Sequence, residues 1–155
     1  MHLLAEKVIL TGLVEIGLLK GDIDEMVKSR LGAVFFCHGL GHLVGLDVHD
    51  VGGFLGDATP RSTEAGLSSL RTTKTLQERM VISIEPGCYF VHTLLDRALQ
   101  DPKHKDFFVI EKLKEFRGFG GVRIEDNICV WAKENENLSH GLPRTVKEIE
   151  EFMKH

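Results

Sequence analysis

The residues best suited to chemistry in this sequence are histidines and glutamates in four short segments. His38 and His42 lie in HGLGH, His49 in DVHD, Glu85 in SIEPG and Glu125 in VRIED. Mixed imidazole and carboxylate ligation suits manganese, cobalt, iron or zinc better than a metal that prefers sulfur. One histidine and two carboxylates would make most of a metal site.

Two predicted strands carry the glutamates, over residues 80–89 and 121–130. Polar and apolar residues alternate in the second strand, which places Arg123 and Glu125 on one face. Glu85 lies on the polar face of the first strand. A carboxylate against the inside of a sheet is costly unless it is paired, and a metal ion removes that cost. Arg123 can then hydrogen-bond a metal-bound carboxylate or a substrate.

Helices are predicted around these strands. Residues 2–19 have helical periodicity, Asp22 can cap a second helix to about Leu31, and a capping box starts a last helix over 144–153. Residues 92–116 are charged and predicted to be partly helical. We interpret residues 33–49 as a strand with a tight turn at the glycines, and 51–75 as a long loop. The fold class is α+β.

Length and charge narrow the class of protein. The 155 residues fit one domain or a large piece of one. A net charge of -4 without a basic run argues against nucleic-acid binding. Glu6, Lys7 and Glu15 interrupt the apolar pattern near the start, which argues against a signal peptide, and the apolar stretches are short for a membrane span. We therefore expect a cytoplasmic protein that binds no membrane.

The three cysteines, Cys37, Cys88 and Cys129, form no CxxC pair. We interpret them as reduced thiols. Cys37 adjoins His38, so a Cys/His nucleophilic pair is an alternative, although adjacent side chains rarely face each other productively.

Each feature also has a purely structural interpretation. A lone buried histidine is often only a hydrogen-bonded core residue, and a strand glutamate beside an arginine is often a salt bridge. Pro86-Gly87 could be a turn that ends the strand. The combination, and not any single residue, favours a metal site.

The segments HGLGHLVGLDVHDVGG, MVISIEPGCYF and FRGFGGVRIEDNICV resemble the C-terminal catalytic domain of the M24 "pita-bread" metallopeptidases, which include Xaa-Pro dipeptidases and aminopeptidase P. The resemblance runs from about residue 2 to about residue 153. Two further parts look like the dipeptidase (prolidase) branch: the stretch between Glu85 and Glu125, and the segment PRTVKEIEEFM near the end. The resemblance implies a curved antiparallel sheet backed by helices and hydrolysis of Xaa-Pro dipeptides.

The resemblance also implies a ligand set for two divalent metal ions, manganese first and cobalt or zinc as alternatives. His42 would be the histidine ligand, Glu85 would bind one metal and shuttle a proton for the attacking water, and Glu125 would bridge both metals. The family uses two aspartates in addition. Asp22 and Asp24 are the only upstream aspartates, and their positions are better explained by helix capping.

On the substrate side, the resemblance implies roles for four further groups. His49 would act in catalysis by stabilising the tetrahedral intermediate or orienting the scissile carbonyl, and His38 would line the proline pocket. Arg71 would bind the C-terminal carboxylate of a dipeptide, which selects short substrates. Arg123 would support Glu125 and the site wall.

We therefore expect residues 1–155 to form the C-terminal half of a catalytic domain. Alone, such a chain would bind metal weakly or not at all and have little activity. An aminopeptidase P-like enzyme and a non-catalytic interaction module remain alternatives. An uncovered sheet edge and apolar face predict self-association, for example as a homodimer.

Overall fold

Helices and short antiparallel strands alternate along the chain in the computed structural model, which describes residues 1–154. The elements, in chain order, are α1 (His2–Glu15), α2 (Ile23–Lys28), α3 (Gly32–Phe35), β1 (Val81–Ile84), β2 (Gly87–Tyr89), α4 (His92–Gln100), α5 (Ile110–Phe116), β3 (Gly121–Arg123), β4 (Asp126–Val130), β5 (Asn135–Asn137) and α6 (Val146–Phe152). Single 3-10 turns occur at Leu67–Ser69 and Lys105–Phe107. The predicted α+β class is confirmed.

The predicted helix starts are confirmed at two caps. The Asp22 carboxylate accepts a hydrogen bond from Glu25 N at 2.9 Å and begins α2. Thr145 and Glu148 form the capping box of α6. Both caps satisfy backbone N–H groups that have no partner inside their helix.

The strand predicted over residues 33–49 is wrong in its first part. Residues 32–35 form α3, because this turn buries Val34 and Phe35 in the helical core. Beyond it, only Leu43 forms a β-bridge, with Ile82. The chain nevertheless lies beside β1, since Ser83 N donates to His42 O at 2.9 Å and Glu85 N to Leu40 O at 2.7 Å. The HGLGH segment therefore lies along the edge of the sheet without forming a regular strand.

Each of the two predicted glutamate strands is divided in two. β1 pairs with β4 and β2 with β3, both antiparallel, while β5 extends the first sheet beyond β4. The ladder is interrupted at Pro86, which has no N–H to donate. Across the gap, Ile124 N donates to Pro86 O at 3.2 Å. One antiparallel ribbon is thus broken into two short sheets, with the glutamates at the break.

The hydrophobic core lies among the helices and under β2. Its fully buried members include Leu10, Leu18, Met26, Leu31, Phe35, Leu95 and Leu113. The apolar face predicted for 121–130 is less buried, because Val122 and Ile124 are 55% and 54% exposed. None of the helices described in residues 1–154 is long and apolar enough to span a membrane.

Candidate metal centre

The sheet brings together the three residues that the sequence singled out as metal ligands. His42, Glu85 and Glu125 each offer a ligand atom, and these atoms lie within 4.8 Å of one another. His42 and Glu85 are buried, whereas Glu125 is exposed. Two ions in a binuclear site lie about 3.5–4 Å apart, so this spread suits carboxylates shared by a metal pair.

The two glutamates lie directly opposite each other across the ribbon. The register pairs Ile84 with Asp126 on one side of the break and Gly87 with Arg123 on the other, which places Glu85 opposite Glu125. Like charges at directly opposed positions destabilise a sheet. A cation between the two carboxylates would turn this repulsion into attraction.

The hydrogen bonding of His42 leaves one ring nitrogen for a cation. His42 Nδ1 lies 3.0 Å from Leu43 O, and a carbonyl oxygen only accepts, so Nδ1 carries the hydrogen. In the neutral ring Nε2 then has a free lone pair, and it lies 3.3 Å from Glu85 Oε1. A backbone carbonyl on one ring nitrogen is the usual way in which a metal-binding histidine is oriented.

Ser83 holds His42 and Glu85 in this arrangement, and its role was not predicted. The Ser83 hydroxyl accepts from His42 N at 3.0 Å and donates to Glu85 Oε1 at 3.0 Å. Ser83 is fully buried. The signal in the sequence was its position two residues before Glu85, on the same face of the strand.

The hydrogen bonds of Arg123 link the metal centre to His38. Arg123 Nη1 lies 3.4 Å from Glu85 Oε2, and Arg123 Nε donates to the Tyr89 hydroxyl at 2.7 Å. His38 Nδ1 donates to Gly39 O at 2.7 Å, since a carbonyl oxygen only accepts. In the neutral ring, His38 Nε2 then accepts from the Tyr89 hydroxyl at 2.9 Å. Tyr89 was not predicted, although it lies on the face of Glu85 four residues later.

The same contacts hold Arg123 as a cation. The hydrogen bond with Tyr89 raises the pKa of Arg123, and the charges of Glu85 and Glu125 raise it further. Arg123 is therefore a fixed positive charge beside Glu85 and Glu125.

One cleft brings the four predicted substrate-side residues together with Glu85. It has a volume of about 370 Å³, and its lining includes His38, His49, Arg71, Arg123 and Glu85. His49 also stands edge-on to His42, with 4.4 Å between ring centroids. Polar groups of opposite charge that meet in one cleft are the expected features of a small-molecule site.

The other predicted candidates have structural roles. Asp24 accepts from Lys7 Nζ at 2.6 Å on the helical side of the molecule, and Asp22 caps α2, so neither faces the cleft. The three cysteines are free thiols, and burial raises the pKa of Cys88 to about 11. Both ring nitrogens of His38 already have partners other than Cys37, which leaves the Cys/His pair without support.

The model of metallopeptidase family M24 matches residues 2–132. The chain therefore belongs to metallopeptidase family M24. Membership implies the use of divalent metal ions, and the His/Glu/Glu group is where this chain can contribute to binding them.

The relatives include both dipeptidases and aminopeptidases. Human Xaa-Pro dipeptidase is 51% identical over 99% of this chain, which corresponds to 31% of the human protein. A probable Xaa-Pro aminopeptidase of Leptosphaeria maculans is 42% identical over 98% of the chain and 26% of that protein. The structure of Pseudomonas aeruginosa aminopeptidase PepP matches with a TM-score of 0.63 and 32% identity, over 96% of this chain and 27% of that one. The chain thus spans less than a third of the length of these relatives, and the pita-bread fold is confirmed.

Proposed function

We propose that this chain contributes the C-terminal part of an Xaa-Pro dipeptidase site, with His42, Glu85 and Glu125 as ligands of two divalent ions. The observation that carries the proposal is the cross-strand pair of glutamates with the free Nε2 of His42 beside it. The 51% identity to human Xaa-Pro dipeptidase favours the dipeptidase branch.

The residues fit a metal pair in their chemistry. Glu85 and Glu125 face each other with like charge, and His42 directs Nε2 to the same place, 3.3 Å from Glu85 Oε1. When bound, the ions would act as Lewis acids that polarise the peptide carbonyl and activate water. Oxygen and imidazole ligands favour manganese, with cobalt or zinc as alternatives.

The residues of this chain would act around that centre as follows. A Glu85 oxygen would accept a proton from the attacking water and pass it to the leaving nitrogen. His49, exposed at the cleft, would orient the scissile carbonyl. Arg71 would bind the free carboxylate of the dipeptide, and His38 would line the proline pocket. Arg123 would hold the Glu85 carboxylate and the Tyr89 hydroxyl in position.

We propose further that two aspartate ligands come from a preceding part of the parent polypeptide. Residues 1–155 would then bind metal weakly and hydrolyse little by themselves. A cytoplasmic location and self-association as a homodimer belong to the same proposal. The support for self-association is the exposed apolar surface around Val122 and Ile124, and light scattering would test it.

Arg71→Gln is expected to raise KM for glycyl-proline with little change in kcat. A hydrogen bond between charged groups contributes about 2 kcal/mol, which corresponds to about thirtyfold. The measurement is steady-state hydrolysis by the parent enzyme with manganese. Arg79→Gln is the matched control, since Arg79 is exposed and is not among the residues that line the cleft. An unchanged KM would remove Arg71 from the carboxylate site.

A second substrate, glycyl-prolyl-alanine, separates the dipeptidase from the aminopeptidase alternative. A carboxylate-binding arginine disfavours glycyl-prolyl-alanine, whose carboxylate lies one residue further from the scissile bond. Comparable turnover of glycyl-proline and glycyl-prolyl-alanine would favour the aminopeptidase. No hydrolysis of either peptide by the metal-loaded parent would favour the interaction module.

Ser83→Ala is expected to lower manganese affinity about 10- to 100-fold, the usual cost of losing a hydrogen bond that orients a metal ligand. The hydroxyl contacts both His42 and Glu85, and its removal leaves only a small cavity. Titration calorimetry with manganese, on the parent enzyme with and without the substitution, measures the affinity. Ser68→Ala is the control, because Ser68 is exposed and lies outside the centre.

A further inference from the structure

A buried ion pair joins Glu6 of α1 to Arg30, which follows the end of α2. Glu6 is fully buried, and Arg30 donates to both of its carboxylate oxygens, from Nη1 at 2.8 Å and from Nη2 at 2.5 Å. The Arg30 side chain is 13% exposed. A bidentate pair between a guanidinium and a carboxylate fixes both the position and the plane of the guanidinium.

The third donor of Arg30 reaches the loop. Arg30 Nε donates to Ala65 O at 3.0 Å. Gly66 lies against the pair, because a Cβ there would come within 3.1 Å of Arg30 Nη2 and of Glu6 Oε1. Gly32 likewise leaves room for the Glu6 carboxylate, which a Cβ would approach to 2.8 Å. Three parts of the chain are therefore shaped around this one ion pair.

The backbone of Arg30 indicates that its side chain has a specific use. Arg30 follows α2 in the left-handed region, with φ of 65°. Arg30 N donates to Val27 O and Leu31 N to Met26 O, the Schellman pattern in which this position strongly favours glycine. A residue other than glycine is unfavourable here, so the side-chain contacts with Glu6 and Ala65 offset a backbone cost.

A series of backbone hydrogen bonds connects the region of Ala65 to Leu70, the residue before Arg71. Hydrogen bonds run from Ser68 N to Glu64 O at 2.9 Å, from Ser69 N to Gly66 O at 3.2 Å and from Leu70 N to Leu67 O at 3.2 Å. We call residues 64–70 the delivery segment. Its far end is held by Arg61, whose Nη1 donates to Leu70 O at 2.5 Å. Hydrogen bonds from Arg30 and Arg61 therefore hold both ends of the segment that leads to Arg71.

We propose that Arg30, held by Glu6, is a positioning residue that fixes the delivery segment and thereby sets Arg71 in the cleft. The proposal rests on the proposed function only in naming Arg71 as the group delivered to a substrate carboxylate. The order of the segment can be measured without metal or substrate.

The double variant Arg30→Gly/Glu6→Gln tests this directly, because glycine suits the positive φ and glutamine leaves no buried carboxylate without its partner. Hydrogen exchange of the 155-residue chain is expected to accelerate at least tenfold at the amides of Ser68, Ser69 and Leu70, with α5 unchanged. Asp24→Asn is the matched control. It breaks the other ion pair between α1 and α2, Lys7 with Asp24, and leaves the delivery segment untouched. Exchange within twofold of the unaltered chain is expected for the control.

Two results would overturn the proposal: unchanged exchange in the delivery segment, or equal acceleration throughout the chain. Glu6→Gln is a second variant and should show the same local pattern. Each single variant leaves one charge of the pair without its partner, the buried Glu6 carboxylate in Arg30→Gly and the Arg30 guanidinium in Glu6→Gln, so the decision rests on the double variant. In the parent enzyme, the double variant is expected to raise KM for glycyl-proline at least fivefold with kcat unchanged. Local acceleration without a change in KM would support the positioning role and count against Arg71 as the carboxylate ligand.

Discussion

Glu85→Gln in the parent enzyme is expected to reduce glycyl-proline hydrolysis about 10³-fold or more. The substitution removes a metal ligand and the proton acceptor together while keeping the shape of the side chain. It also removes the charge that Arg123 Nη1 approaches at 3.4 Å, whereas the amide oxygen can still accept from the Ser83 hydroxyl. The measurement is kcat with saturating manganese.

Glu111→Gln is the matched control for this variant. Glu111 lies at the start of α5 and is exposed, and its carboxylate pairs only with the neighbouring Lys114 among the described residues. Its activity should equal that of the unaltered enzyme. If Glu85→Gln retained more than a tenth of the activity, Glu85 would be neither an essential ligand nor the proton carrier.

Gly41→Ala is expected to have the second large effect, on stability. A Cβ at Gly41 would lie 1.7 Å from Ser83 O, far inside van der Waals contact. Ser83 cannot retreat, because its N–H is bonded to His42 O and its strand is paired with β4. We expect a loss of about 3 kcal/mol or more in the free energy of unfolding, measured by urea denaturation.

Gly12→Ala is expected to have the opposite effect, an increase in the free energy of unfolding of the same chain. Gly12 lies inside α1, and a Cβ there meets nothing within 4 Å. Alanine in place of glycine inside a helix stabilises by about 0.5–1 kcal/mol. A Gly41→Ala protein as stable as the unaltered chain would show that the HGLGH segment does not lie against β1 as described.

Much of the sheet could be predicted from the sequence, but the pairing of its strands could not. Alternation correctly placed Glu85, Arg123 and Glu125 on one face, since a strand has a side-chain period of two. The division into β1/β2 and β3/β4 depends on the pairing register. That register joins residues about 40 positions apart in the chain, so the pattern of either strand alone does not reveal it.

The wrong strand at residues 33–49 has a similar origin. Short apolar runs do not distinguish a strand from a buried helical turn, and the packing of Val34 and Phe35 into the core favours the turn. Ser83 and Tyr89 were missed because they are ordinary polar strand residues. Their importance arises only from the neighbours that the fold supplies, His42 for one and His38 with Arg123 for the other.

The structure also shows what positions the three candidate metal ligands. They come from three neighbouring stretches of backbone: the HGLGH segment along the edge of the sheet, the end of β1 and the turn between β3 and β4. Their mutual geometry therefore depends on backbone hydrogen bonds and not on flexible loops. Rigid elements of this kind are what a metal site requires.

The central claim is that His42, Glu85 and Glu125 bind a divalent cation. Titration calorimetry of the parent enzyme with manganese tests it most directly, with Glu85→Gln as the comparison. We predict binding to the unaltered enzyme that weakens at least tenfold in the variant, with both proteins equally folded by circular dichroism. Equal binding by the two proteins, or binding by neither at millimolar manganese, would contradict the assignment.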